Sequence, residues 1–313
     1  MNLRIGTSGW NYPSGRGTWN GLFYPKKRGK SRFDELAFYA EHFDTVEVNS
    51  TFYRPPQAGM ARHWVERTPP GFEFSLKLYQ KFTHPQMFEK ATGSAAQVAV
   101  ADVDEFRSGI EPIANAGRLG ALLVQFPPSF KHDPGTRAYL AWLLRAFHGY
   151  ALAVELRHRS WSDDVRSTLT LLNELGAAWV QIDEPKFRFS IRQNYLPNVT
   201  SFYYMRLHGR NAAHWWKHEN AEDRYDYLYS PDELKPFAET ADAARRLVKK
   251  IYLYLNNHFA GKSVANAAIL KHQLGLPVTG TYPPEFVARY PEVRAFVTVS
   301  ASAEPVPSLL PGV

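Results

Sequence analysis

The chain of 313 residues contains no cysteine. That absence excludes disulfides, thiolate zinc sites and a cysteine nucleophile. No apolar run approaches the ~20 residues that a membrane-spanning helix needs, so no membrane partner is expected. No Gly-x-Gly-x-x-Gly follows the first apolar stretch, and no Gly-x-x-x-x-Gly-Lys occurs anywhere. Both absences argue against the common dinucleotide and nucleoside-triphosphate folds. Met1-Asn-Leu-Arg-Ile-Gly6 enters a strand pattern at once and leaves no room for a secretory leader, so a cytoplasmic location is expected.

What is present is an ordinary globular composition, 44% hydrophobic and 21% charged, with a net charge of +7. Much of the excess sits in Lys26, Lys27, Arg28, Lys30 and Arg32. A solvated loop explains such a run more simply than a phosphate-backbone contact.

The most informative stretch is Ala151-Leu-Ala-Val-Glu-Leu-Arg-His158. With a period of two, Leu152, Val154 and Leu156 share one face, and Ala151, Ala153, Glu155 and Arg157 share the other. A solvated face would not begin with paired alanines, and a plain core face would not end in Glu and Arg. A barrel strand reconciles them: apolar outside under helices, polar inside at its C-terminal mouth.

Other segments repeat the pattern. Strands are predicted at Leu3–Ser8, Thr45–Asn49, Glu73–Leu78, Leu119–Phe126, Ala178–Asp183, Phe202–Gly209 and Ile251–Asn257, with helices between them. Ser31 is placed as cap of the first helix, Thr83-His84-Pro85 in a loop, and Glu184–Ser201 as an irregular connection. About eight β/α units predict a single (β/α)8 TIM barrel with long loops at the C-terminal face. Its expected extent is residues 1–280, with a Pro-rich extension, 281–313, packed on it or trailing from it.

In these phases Ser8, Glu47, Asn49, Lys77, Gln125, Glu155, Arg157, Asp183, Arg206, His208 and Asn256 converge at the mouth. One explanation is an ion-pair network that only closes the barrel. The preferred one is a pocket in which Glu47, Glu155, Asp183 or His208 does acid/base work and Lys77, Arg157 and Arg206 hold an anion. His84, His158 and Arg210 lie just past strand ends, and Trp10, Tyr53 and Trp215 can wall a ligand. His258 is read as structural. The segment Trp215–Tyr229 is expected to act as a lid.

A set of motifs runs in order from about residue 3 to 275: Gly6-Thr-Ser-Gly-Trp10, Val46-Glu-Val-Asn-Ser-Thr-Phe-Tyr-Arg54, Lys77 with Thr83-His84, Leu122-Leu-Val-Gln-Phe-Pro127, Val154-Glu-Leu-Arg-His158 with Ser160-Trp161, Arg206-Leu-His-Gly-Arg210, and Leu255-Asn-Asn-His258 with Asn266-Ala267. Together they resemble the motifs of the DUF72 (YecE-like) family. The resemblance implies a TIM barrel and no particular reaction. Leu255, where the family has an aromatic, and His214-Trp-Trp216 depart from the pattern.

The function expected is an enzyme acting on a small anionic or phosphorylated substrate, sugar-like ones included, by carboxylate acid/base chemistry. Neither a cofactor nor a metal is expected, because cationic neighbours would repel an ion. A metal-dependent isomerase or endonuclease-like enzyme and a non-catalytic binder of nucleic acid or metabolite rank below it.

Overall fold

The computed structural model describes residues 2–26, 33–217 and 219–301. Among the described residues, nine strands precede a short C-terminal pair: β1 (Leu3–Thr7), β2 (Thr45–Val48), β3 (Glu73–Lys77), β4 (Leu119–Gln125), β5 (Leu152–Glu155), β6 (Ala178–Trp179), β7 (Gln181–Asp183), β8 (Tyr203–Leu207) and β9 (Ile251–Leu255). Every pairing among them is parallel. Parallel neighbours require crossovers, which here carry helices such as Glu35–His42, Ala58–Glu66, Val100–Asn115, Pro134–Ala146, Val165–Glu174 and Pro231–Ala244. The fold is therefore α/β, built on parallel sheets.

The strands form two sheets, ordered β2-β3-β4-β5-β6 and β1-β9-β8-β7, where a single closed sheet was expected. Side chains occupy both junctions. Between β1 and β2, the Tyr39 hydroxyl accepts from the Thr7 N–H at 2.9 Å and donates to the Thr45 carbonyl at 3.1 Å. Ser8 and Glu47 then form one parallel bridge. A Cβ on Gly6 would lie 2.3 Å from the Thr45 carbonyl oxygen, so only glycine allows this approach. Between β6 and β7, Asn198 Oδ1 takes the Trp179 N–H at 2.7 Å and Gln193 Oε1 takes the Ile182 N–H at 2.9 Å. Each side chain satisfies a backbone group that a continuous ladder would have used.

Outer faces carry the expected apolar residues, with Val46, Val48, Leu152 and Val154 fully buried. The inner side is polar along its length. Tyr254 Oη lies 2.6 Å from Thr45 Oγ1 and 3.0 Å from Ser75 Oγ, and Tyr252 Oη donates to Glu73 Oε2 at 2.5 Å. β4 takes up one extra residue: Leu119 pairs with Phe74, but Leu122 with Leu76. This irregularity sets the phase that turns Gln125 inward.

Two local expectations change. Asp34, not Ser31, caps the first helix, accepting from the Ala37 N–H at 2.9 Å, and Ser31 lies outside the described residues. Thr83-His84-Pro85 is no loop: Gln80–Thr83 is helical, and a second helix, Pro85–Thr92, starts on Pro85, whose fixed φ suits a first helical position. Secondary structure continues beyond Pro277. Thr281–Tyr282 pairs with Thr298–Val299 around the helix Pro284–Arg289, and Tyr282, Phe286 and Val293 are buried. Residues 302–313, and Lys27, Arg28, Lys30 and Arg32 of the basic run, lie outside the described residues. Among the described residues no helix is long and apolar enough to cross a membrane.

Candidate functional site

Arg206, on β8 and 1% exposed, is the centre of the polar end. Its Nε and Nη2 donate to the two oxygens of Glu47 at 2.9 and 2.7 Å. Its Nη1 reaches Gln125 Oε1 at 3.0 Å and Glu155 Oε2 at 2.5 Å. Four of its five N–H groups are thus committed, so it holds the ends of four strands together rather than offering a free fork to an anion. Glu47 also accepts from Tyr204 Oη at 2.7 Å.

Glu155 receives Arg157 Nε on its other oxygen at 2.7 Å. Burial alone would raise its pKa, but the Arg206 and Arg157 guanidiniums outweigh it and hold the carboxyl well below the usual range. Arg157 reaches on to Glu184, with Nη1 3.3 Å from Oε2 but without hydrogen-bond alignment. Burial pushes the Glu184 carboxyl up. Glu184 was missed from sequence because it follows the strand end at Asp183, where alternation stops.

His208 is fully buried. Burial first, and then repulsion by Arg206, pushes its pKa down to about 3, so the ring is neutral. The Asn256 side-chain amide faces Nδ1 at 2.8 Å. Arg157 Nη2 and Arg206 Nη1, which can only donate, lie 3.3 and 3.4 Å from Nε2, and Glu155 Oε1 lies 3.6 Å from it. Trp215 covers His208, ring centres 6.4 Å apart. Glu47, Glu155 and His208 therefore form a packed, mutually satisfied layer. Ionised Glu155 has no proton to donate, and buried His208 has no open approach.

Lys77 stands differently. It is partly buried at the C-terminal end of β3. Its Nζ lies 3.9 Å above the Phe52 ring, and it has no hydrogen bond or ion pair to another described residue. Burial, and then repulsion by Arg206, brings its pKa down to about 7. The Thr51 hydroxyl donates to the Lys77 carbonyl at 2.6 Å, which fastens the turn carrying Phe52 beneath the amine. His84, edge-on to Phe52 at 4.9 Å, is held by Thr83 Oγ1 at 2.8 Å. Burial and then the Lys77 charge push the His84 ring down to about 3, so it too is neutral.

The remaining candidates surround this layer. Asp183 forms a second cluster, accepting from Arg210 Nε at 2.8 Å and Tyr229 Oη at 2.6 Å. His158 is tied to Ser160 Oγ at 2.8 Å. Ser8 Oγ and Asn49 Oδ1 are buried without a protein partner among the described residues. Trp10, Asn49 and exposed Tyr53 line an adjoining cleft of about 1110 Å³. His258 is stacked on Tyr12 at 4.2 Å and faces Tyr225 at 4.7 Å, an aromatic wall whose tyrosines carry no strand phase by which sequence could place them. No three His, Asp or Glu side chains among the described residues stand together as a metal site.

Fold and site together define an α/β protein whose parallel strands end in one buried, arginine-centred ion network beside an unpaired lysine. The chain belongs to the family described as protein of unknown function DUF72, whose model matches residues 4–289. It is 27% identical over 292 residues to the UPF0759 protein YunF of Bacillus subtilis (strain 168), covering 90% of this chain and 98% of that one. The UPF0759 protein YecE of Escherichia coli (strain K12) is 29% identical over 124 residues, 39% of this chain and 41% of that one. Among solved structures, a DUF72 family protein from Thermotoga maritima MSB8 superposes with a TM-score of 0.75 at 34% identity, covering 88% of this chain and all (100%) of that one. One from Enterococcus faecalis V583 does so with 0.75 at 25% identity, covering 88% and 96%.

Proposed function

We propose that this chain is an enzyme that takes a small anionic, carboxylate- or phosphate-bearing substrate at the C-terminal ends of its strands. In this reading the two sheets make one (β/α)8 barrel, with β6 and β7 counting as one strand around Val180 and both junctions closed by side chains. The observation that carries it is the unpaired Lys77. Arg206 is spent on Glu47 and Glu155, Arg157 on Glu155 and Glu184, and Arg210 on Asp183. A cation in that setting, facing two guanidiniums, lacks only an anion. The acid/base carboxyl in this reading is Glu184, whose raised pKa lets it carry a proton, in place of Glu47 and Glu155.

Thermal unfolding in rising inorganic phosphate tests this. A ligand bound to the native state alone stabilises it by about 2.7 kcal/mol at 100 times its Kd. Wild type should respond, most strongly below pH 7 where Lys77 is protonated, and Lys77→Met should not. The ligand-free Lys77→Met protein should be the more stable one at neutral pH, because an uncompensated cation has gone. Equal phosphate responses in both proteins would remove Lys77 from the site.

A further inference from the structure

The amine of Lys77 has the surroundings of a nucleophile as well as those of a charge. Its approaches are set by three strands and one turn. β2 presents Glu47, β5 presents Glu155 with Arg157 just beyond, β8 presents Arg206, and His84 closes the side beyond the turn that carries Phe52. Both carboxylates are engaged by guanidiniums, and neither pairs with Nζ. The two guanidiniums oppose protonation of the amine, and the Phe52 face beneath it supplies no proton acceptor. An ammonium elsewhere on the surface is solvated and inert as a nucleophile; this one is half free base near neutral pH. With no cysteine in the chain, no thiol competes for an electrophile.

We infer that Lys77 binds its substrate covalently, as an imine with a small aldehyde or ketone that also carries a carboxylate or phosphate. The inference rests on the anionic-substrate reading above and narrows it to carbonyl compounds. The Nζ lone pair attacks the carbonyl carbon, a C–N bond forms, and the C=O π pair moves to oxygen, which takes up a proton. The nitrogen loses a proton in the same stage, giving a neutral carbinolamine. Protonation of its hydroxyl lets water leave as the nitrogen lone pair forms the C=N bond, and the product is an iminium ion. Carbonyl oxygen departs as water, and no oxidant or reductant enters. The iminium restores a positive charge where the ammonium stood, so the attraction for the substrate's anionic group survives the chemistry. His84 sits edge-on to the same Phe52 ring that Nζ overlies, and in this scheme it passes the proton between nitrogen and oxygen.

Reductive trapping tests this directly. The full chain is incubated at pH 7.5 with glyoxylate and sodium cyanoborohydride, which delivers hydride to an iminium carbon, and the modified lysines are mapped by peptide mass spectrometry. A drop in pKa from 10.5 to about 7 enlarges the free-base fraction by close to three orders of magnitude. Part of that is lost to lower basicity, so labelling of Lys77 on the order of 100-fold faster than exposed lysines such as Lys249 is expected. Lys77→Arg should abolish the fast phase while keeping the charge and the phosphate response, and inorganic phosphate should slow labelling of wild type. If label spreads over exposed lysines at the rate seen in Lys77→Arg, imine formation is wrong. Should phosphate still stabilise wild type and not Lys77→Met in that case, the anion site stands and only its chemistry falls. Loss of both responses would overturn the two readings together.

Discussion

Replacing Arg206 by Met should be among the most destabilising single changes in the chain. The methionine fills much of the volume but leaves Glu47 and Glu155 buried, both fully shielded from solvent. Glu155 keeps Arg157, whereas Glu47 keeps one neutral partner, Tyr204. Removing one side of a buried ion pair costs about 3–5 kcal/mol, because the other side remains as an uncompensated charge. The loss depends on pH with a definite sign. A buried carboxylate left without its cation favours the neutral form, so the deficit of the variant should grow from acid toward neutral pH. Adding Glu47→Gln removes the stranded charge, and the double variant should lie about 0.5–3 kcal/mol above the additive sum. Urea unfolding at several pH values, followed by tryptophan fluorescence, measures all of this. A cost for Arg206→Met under about 1 kcal/mol, typical of exposed pairs, or strict additivity, would mean that Arg206 does not bind these strand ends together.

Two further outcomes follow from other residues. His208 is neutral in the folded chain down to about pH 3, while its unfolded counterpart protonates near 6.5. Its contribution is complete above ~6.5 and lost as pH falls, on the order of 2 kcal/mol by pH 5. The pH 7-to-5 loss of stability should shrink by that amount in His208→Gln, and an unchanged pH slope would contradict the burial argument. Tyr39→Phe strands the Thr7 N–H and the Thr45 carbonyl at the β1–β2 junction. It should cost about 1–3 kcal/mol and accelerate amide exchange at Thr7; protection equal to wild type would show that the junction does not depend on the hydroxyl.

Much of this arrangement is legible in the sequence because a strand's period of two is rigid. Once Ala153 and Glu155 are assigned to one face, the same logic selects Glu47, Lys77, Arg206 and Asn256, and all of these but Lys77 are hydrogen-bonded to one another or to His208. The roles within that set are not legible. Which of three cations is left unpaired depends on side-chain reach: Arg206 spans Glu47 and Glu155 at once, a geometry no spacing encodes. Glu184 escapes because it follows the strand end, where alternation stops. The open junctions escape because they are made by Tyr39, Gln193 and Asn198, residues of a helix and an irregular segment that a period search passes over. The short helix Pro85–Thr92 escapes because its proline looks like a breaker, although Pro is well suited to a first turn.

The two-sheet arrangement has a consequence for how the molecule is made. One sheet, β2 through β6, comes from a single uninterrupted stretch, Thr45 to Trp179, and every hydrogen-bonded strand neighbour within it is adjacent in the chain. The other draws its edge from far away in sequence: β1 and its ladder partner, Ile251–Leu255, are separated by every other strand of both sheets. Before β9 is in place, β1 is held beside β2 by the Ser8–Glu47 bridge, the Tyr39 hydroxyl and the Arg4–Asp44 ion pair. The first half can thus assemble during synthesis, whereas the second must wait for β1 to be captured, a step governed by closure of the long loop between Thr7 and Ile251. Moving β1 behind β9 by circular permutation would make both halves local, and the waiting period would disappear from the folding reaction.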